Sequence, residues 1–349
     1  LYGDERGRTG AGTASPATSG EARAFWRWLA RAAPAAAGLW PAQAVANHAL
    51  LGRPVCDTAS AASLYPLHNG VDWDEDEIGD AGGSAALAPD VLPLGMPAGE
   101  RDGVTIASGS VDALGEQAVA GATEPGDVLV VLGSTLLTWA VTDEWREAER
   151  LWSIPHTAPG RFLIGGASNA GGLFIDLVRG VLGLGAPGDD PATDGLDPSD
   201  IPVWEPYPRG ERTPLHDPDR RAVLHGLSLT HGPAAVLRAA HEASGFVIRH
   251  HLELAGVEAR RLVVSGGGSQ SPGWVQAVCD ATGLAADVVA VPEGGALGAA
   301  WVARMAAGLE SGLGDAVRWS GTARRHEPNE TWAAACRDRH EEFLGNTGL

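Results

Sequence analysis

Apolar positions along the chain change period several times, and each change marks an element. Residues 21–33 put Phe25, Trp28 and Leu29 at helical spacing, and Pro34 closes the run. Residues 45–51 read as a second short helix, and residues 57–73 are mixed, with a turn at Asn69-Gly70. From Gly103 the pattern shortens to that of strands. Residues 104–107 form one, and residues 127–132 and 136–142 form a hairpin across Gly133-Ser134-Thr135. Residues 161–164 are a strand running into glycines, and a helix follows from about Gly171 to Val181. The longest helical run, residues 233–254, carries Val236, Ala240, Ala243 and Val247 on one face. After it come a strand at 261–264, a helix at 272–282, a strand at 287–291 and a helix at 295–307. This alternation predicts the α/β class. An amphipathic helix at 329–344 ends the pattern, which shows no solenoid repeat. Two stretches read as loops: the polar first twenty residues, and residues 185–201, rich in Pro, Gly and Asp.

Length and composition narrow the picture. A chain of 349 residues buries a substantial core and predicts two domains. A hydrophobic fraction of 44% with 48 glycines and 23 prolines fits a soluble α/β protein with many tight turns. No apolar run is long enough to span a bilayer and the start does not read as a signal peptide, so a cytoplasmic location is expected. Cys56, Cys279 and Cys336 are scattered and suggest neither a disulfide framework nor a metal pair. The net charge of −19 opposes binding to nucleic acid or to anionic membranes. The chain contains no lysine, which rules out a Walker A lysine, a Schiff base and a protein-kinase-type catalytic lysine. Nucleotide chemistry here would rest on backbone amides, arginine and metal.

Five places are candidates for chemistry. Residues 261–264 deliver Ser265-Gly266-Gly267-Gly268-Ser269-Gln270-Ser271 into a helix, so glycine N–H groups and a helix N-terminus meet at one turn. The dinucleotide fingerprint G-x-G-x-x-G fails at Ser271, which disfavours an NAD-dependent dehydrogenase. Asp112, at the mouth of strand 104–107, reads either as a general base for an alcohol or as the N-cap of a helix over 113–120. Gly133-Ser134-Thr135 reads either as a phosphate-holding tip or as a plain turn. Asp72, Asp74 and Asp76 alternate as in a calcium loop, but Glu77 and Gly83 stand where glycine and glutamate are needed, so a solvated acidic turn is expected. His250 and His251 share a helix with His241, but being adjacent they face different ways, which argues against a metal site.

In this order, these segments resemble the FGGY family of carbohydrate kinases, with xylulokinases nearest. The match rests on Ser108 to Asp112, Glu124-Pro125-Gly126-Asp127, Gly133-Ser134-Thr135 and Gly210-Glu211-Arg212-Thr213-Pro214. It continues through Asp217-Pro218, Gly226-Leu227, the run from Ser265 to Trp274, and Glu293-Gly294-Gly295-Ala296-Leu297-Gly298. Residues 57–73 match more loosely. Each motif is modest, while the ordered set is specific and spans nearly the whole chain.

The resemblance implies an actin-like, ribonuclease-H-like fold of two domains: residues 1–120 as the remainder of a sugar-binding domain and residues 121–349 as an ATP-binding domain. It implies Mg2+ and ATP as phosphoryl donor, and a ketose such as a pentulose as acceptor. Asp112 matches the base, Gly133 and Ser134 the phosphate-side hairpin, and Gly172, Gly266, Gly267 and Gly268 the ATP-contacting turns. A homodimer is left open. The family's opening D-x-G-T-S hairpin has no counterpart here, and residues 1–6 resemble a later region, so the first strands of the first domain are expected to be missing. Gly-Ser-Thr also stands in place of the usual Gly-Thr-Ser. The competing expectation is a catalytically inactive remnant that binds nucleotide or a partner.

Overall fold

The computed structural model describes residues 21–185 and 190–348. The expectations for the first twenty residues, and for part of the loop at 185–201, lie outside the described residues. The chain divides into two compact units, Leu1–Val119 with Gly295–Trp319, and Ala120–Gly294 with Ser320–Leu349.

The first unit opens with α1 (Glu21–Ala32), α2 (Ala42–Leu51), β1 (Val55–Asp57), α3 (Thr58–Ala62) and α4 (Glu75–Asp80). Then come β2 (Asp90–Leu92), β3 (Pro97–Arg101), β4 (Val104–Ala107) and α5 (Asp112–Ala120). β1 and β2 pair in parallel, and β3 and β4 form a hairpin. The short helices exist because carboxylates start them. Asp57 accepts from the Ala59 and Ser60 N–H groups, and Asp74 accepts from that of Glu77. Asp74, in the acidic run, is thus a helix cap. Trp26, Leu39, Leu67, Ile78 and Ala81 form the local core.

The second unit is built on β5 (Asp127–Leu132), β6 (Leu136–Thr142), β7 (Trp152–Pro155) and β8 (Phe162–Ser168). It continues with α6 (Gly172–Val181), β9 (Val203–Glu205), β10 (Val223–His225), α7 (Pro233–Ala255), β11 (Arg261–Ser265), α8 (Pro272–Thr282) and β12 (Ala286–Val289). Helix α9 (Gly294–Ala306) returns to the first unit, and β13 (Thr322–His326) and α10 (Glu330–Thr347) complete the second. One seven-stranded sheet runs β13-β12-β11-β5-β6-β8-β7. β12, β11 and β5 are mutually parallel, and the strands from β5 through β6 and β8 to β7 are antiparallel.

All six residues of β5 are buried, and their alternation serves two cores. Val128, Val130 and Leu132 face α6, α7, α8 and α10 with Phe174, Phe246 and Trp274, while Leu129 and Val131 face the other side with Trp139 and Leu163. Each such Val or Leu contributes roughly 1.5–3 kcal/mol by leaving water. At the start of β5, Asp127 bridges Arg260 and Arg261. Burial pushes its carboxyl up, but the donations from the two arginines outweigh this and hold it below the usual range. Three helices are tied by charge: Arg238 and Glu242 on α7, Asp280 on α8 and Arg339 on α10 form one buried network.

Candidate functional site

The three glycine turns singled out in the sequence gather at one place in the second unit, around the tip of the β5–β6 hairpin. Gly133 closes the tip by donating to the Thr135 carbonyl at 3.1 Å, and Ser134 is exposed. α6 begins against this tip, with the N–H groups of Gly172 and Leu173 donating to the carbonyls of Gly133 (2.8 Å) and Ser134 (3.1 Å). A Cβ on Gly171 would lie 2.4 Å from the Thr135 carbonyl carbon, so only glycine lets the two backbones touch. The first amides of α6 are therefore committed to the hairpin, and Gly172 presents its Cα rather than a free N–H.

The third turn follows β11, which is hydrogen-bonded to β5 through Ser265 and Val131. Gly266 takes a φ of +84°, and a Cβ on it would stand 2.9 Å from the Leu132 carbonyl oxygen. Gly268 is boxed in by Trp274 and Leu132, while Gly267 faces open space. Ser271, where the dinucleotide fingerprint fails, caps α8 by accepting the Trp274 N–H, with Pro272 in the first turn. Trp274 is buried and stacks on His241, centroid to centroid 5.9 Å. The result is a rim of small residues and main chain beside the positive end of a helix, a surface suited to phosphate oxygens.

Asp112 lies in the first unit, exposed, as the first residue of α5. Its Oδ1 accepts from the neighbouring Ala113 N–H at 2.8 Å, and the residue lines a cavity of about 370 Å³. The cavity is lined by Gln43, Ser110, Val111, Asp112, Gly295 and Ala299. Sequence reasoning missed the side chains that hold the loop before Asp112. Gln43 donates to the Ser110 carbonyl at 3.0 Å, and Asn47, one turn later on α2, donates to those of Ser108 (3.0 Å) and Val55 (2.8 Å). An i, i+4 amide pair on a short helix was the available signal.

His241, His250 and His251 do not form a metal site. His241 stacks on Trp274, and His251 Nε2 meets the Thr213 carbonyl at 3.1 Å. Among the described residues no group of three His, Cys, Asp or Glu side chains could hold a metal, and no helix is long and apolar enough to cross a membrane.

Comparison with known proteins places this geometry in context. Residues 126–307 match the model of the FGGY family of carbohydrate kinases, C-terminal domain. The xylulose kinase of Escherichia coli K12 is 28% identical over 246 residues, covering 68% of this chain and 51% of that protein. That of Streptomyces rubiginosus is 28% identical over 339 residues, covering 91% of this chain and 67% of that one. The chain spans about half the length of the first of these relatives. Among solved structures, xylulose kinase from Rhodospirillum rubrum superposes with a TM-score of 0.74 at 25% identity, over 94% of this chain and 71% of that one. The ligand-bound enzyme from Lactobacillus acidophilus superposes with a TM-score of 0.78 at 18% identity, over 93% of this chain and 71% of that one. The fold is thus the actin-like, ribonuclease-H-like ATPase fold that the sequence motifs implied.

Proposed function

The chain belongs to the FGGY family of carbohydrate kinases, and on that premise we propose that it carries the ATP site and the base of an ATP-dependent sugar kinase. The acceptor is a ketose, most simply a pentulose such as xylulose, as the xylulose kinase relatives suggest. Glycerol kinase and gluconokinase are also among the relatives, so the choice of sugar is the finer part of the reading.

The observation that carries the reading is the convergence of Gly133, Gly172, Gly266 and Gly268 around Leu132–Thr135: a Cβ on Gly172 or Gly266 would collide with main chain there, and one on Gly268 with the side chains of Trp274 and Leu132. In the reaction, Asp112 takes the proton of the sugar hydroxyl as its oxygen bonds to the γ-phosphorus. The bond from that phosphorus to the β–γ bridging oxygen breaks, and ADP leaves with the electron pair. A positioned base of this kind contributes about 10²–10⁴-fold, and orientation of the phosphates supplies much of the rest. Ser134, exposed at the tip, adds a hydroxyl beside the phosphate oxygens, and Gly267 leaves room for the nucleotide. Mg2+ neutralises phosphate charge when bound. It would be held largely by the phosphates and water, with one or two protein carboxylates at most. The reading places the chain in the cytoplasm, where ATP is supplied.

The test is ADP release with Mg2+ and ATP in the presence of D-xylulose or D-ribulose, with calorimetric titration of ATP alongside. Sugar-dependent ADP release is expected. ATP binding without turnover on any ketose or polyol would instead support a nucleotide-binding remnant, and no ATP binding would sink both.

A further inference from the structure

The segment Gly210-Glu211-Arg212-Thr213-Pro214 takes no part in the chemistry above, yet it holds a carboxylate inside the second unit. Glu211 is 4% exposed. Three donors converge on it: the Ser168 hydroxyl reaches Oε2 at 2.9 Å, the Asn169 N–H reaches both oxygens at 3.1 and 3.2 Å, and the Arg212 N–H reaches Oε1 at 2.7 Å. Only an acceptor with two oxygens satisfies this arrangement. Burial still pushes the carboxyl up to about 8, against the pull of those donors.

The neighbours of Glu211 grip the same stretch. The Asn169 side chain donates to the Gly210 carbonyl at 2.6 Å, and the Thr213 hydroxyl donates to that of Ala167 at 2.9 Å. Gly166 lies so close that a Cβ on it would meet Thr213 Oγ1 at 2.2 Å. From there the contacts run on towards the hairpin. Ser168 Oγ accepts from the Ala170 N–H at 3.0 Å, and Ser244 of α7 donates to the Ala170 carbonyl at 2.7 Å. Two residues later, Gly172 and Leu173 hold the carbonyls of Gly133 and Ser134.

We propose that Glu211 is a positioning residue for the phosphate-side turn: it fixes residues 168–173 so that the first amides of α6 hold the Gly133–Thr135 tip in its binding conformation. The inference rests on the reading that this tip meets the phosphates of ATP. It assigns a task to a motif that the proposed chemistry leaves unused.

Two measurements on the full chain test it: backbone amide exchange, and calorimetric titration of ATP with Mg2+. Glu211→Ala removes both acceptor oxygens, and Glu211→Gln keeps one with nearly the same volume. Exchange at Gly172 and Leu173 is expected to accelerate about tenfold in Glu211→Ala and less in Glu211→Gln, while the amides joining β11 to β5 stay protected. The Kd for ATP should rise in the same order, by about tenfold in Glu211→Ala, as expected when a binding turn is misplaced. Should Glu211→Ala fail to fold, Glu211→Gln carries the test. Unchanged exchange at Gly172 and Leu173 in the folded variant would overturn the proposal, and so would faster exchange with unchanged ATP affinity. A parent chain that binds no ATP would overturn the kinase reading, and the exchange result alone would then decide whether Glu211 holds the tip.

Discussion

A methyl group on Gly298 would lie 2.2 Å from the carbonyl oxygen of Gly115, so α5 and α9 meet backbone to backbone. α5 starts at Asp112, and one turn earlier on α9 a Cβ on Gly295 would approach Asp112 at 3.6 Å, an ordinary contact. The two glycines therefore differ in what they tolerate. Gly298→Ala must push α5 aside, and is expected to lower kcat for sugar phosphorylation at least about tenfold with ATP affinity unchanged. Gly295→Ala should be mild. Steady-state kinetics and ATP titration of both variants check this, and equal effects would refute it.

Asp112→Asn keeps the shape and an acceptor oxygen for the Ala113 N–H, but loses basicity. Sugar-dependent ADP release should fall by about 10²–10⁴-fold, while ATP affinity and melting temperature stay near those of the parent. A variant that retains most of its turnover would remove Asp112 from the role of base.

Arg339 donates to both oxygens of Glu242, whose side chain is fully buried, and Arg238 donates to Glu242 and Asp280. Removing one charge leaves the rest unbalanced in the interior, which costs about 3–5 kcal/mol. Glu242→Gln should therefore lower the urea midpoint markedly. An exposed pair such as Arg53 and Asp90 should contribute within about 1 kcal/mol. Similar small shifts for both would mean that the network is loosely held.

Burial holds the His251 ring neutral, down to about 4, and the nearby His250 and His216 add to that shift against the pull of the Thr213 carbonyl. His241 is lowered to about 3 by burial and by Arg238 and Arg179. An unfolded histidine titrates near 6.5. Between 6.5 and about 4 the unfolded chain takes up protons that the folded chain refuses, so this contribution is complete above 6.5 and is lost as pH falls, by roughly 3 kcal/mol for each ring. Glu211 runs the other way: with its carboxyl pushed up to about 8, its contribution weakens as pH rises from about 4.5 to 8. Comparing urea midpoints of the parent and His251→Gln from pH 7 to pH 4 isolates the ring. The gap between them should narrow as pH falls, and a constant gap would count against the assignment.

Much of the second unit was legible because β5, β6, β8 and β11 are buried on both faces and glycines mark the turns after β5 and β11. The hairpin of β5 and β6 and the helix Pro272–Thr282 have the bounds read from the sequence. Thr322–His326 escaped because four of its five residues are exposed and its pattern is polar. β1 and β2, three residues each, are too short to show a period. Among the candidate residues, the glycines and Asp112 were visible as chain punctuation. Gln43, Asn47 and the task of Glu211 were not, since their partners are backbone carbonyls, hydroxyls and amides that nothing in a linear pattern identifies.

The mixed sheet also sets an order for assembly. β5 meets β6 across a three-residue turn, but its parallel partner β11 arrives much later, Asp127 and Arg261 being 134 positions apart. A local hairpin closes in about 1–10 μs, whereas the distant pairing must first overcome the entropy of a long loop. The turn at Gly133 is thus in place early, and the turn at Gly266 joins it only when β11 docks. The glycine rim proposed to meet phosphate is completed by the pairing that closes the longest loop, so nucleotide binding, on that proposal, reports finished folding.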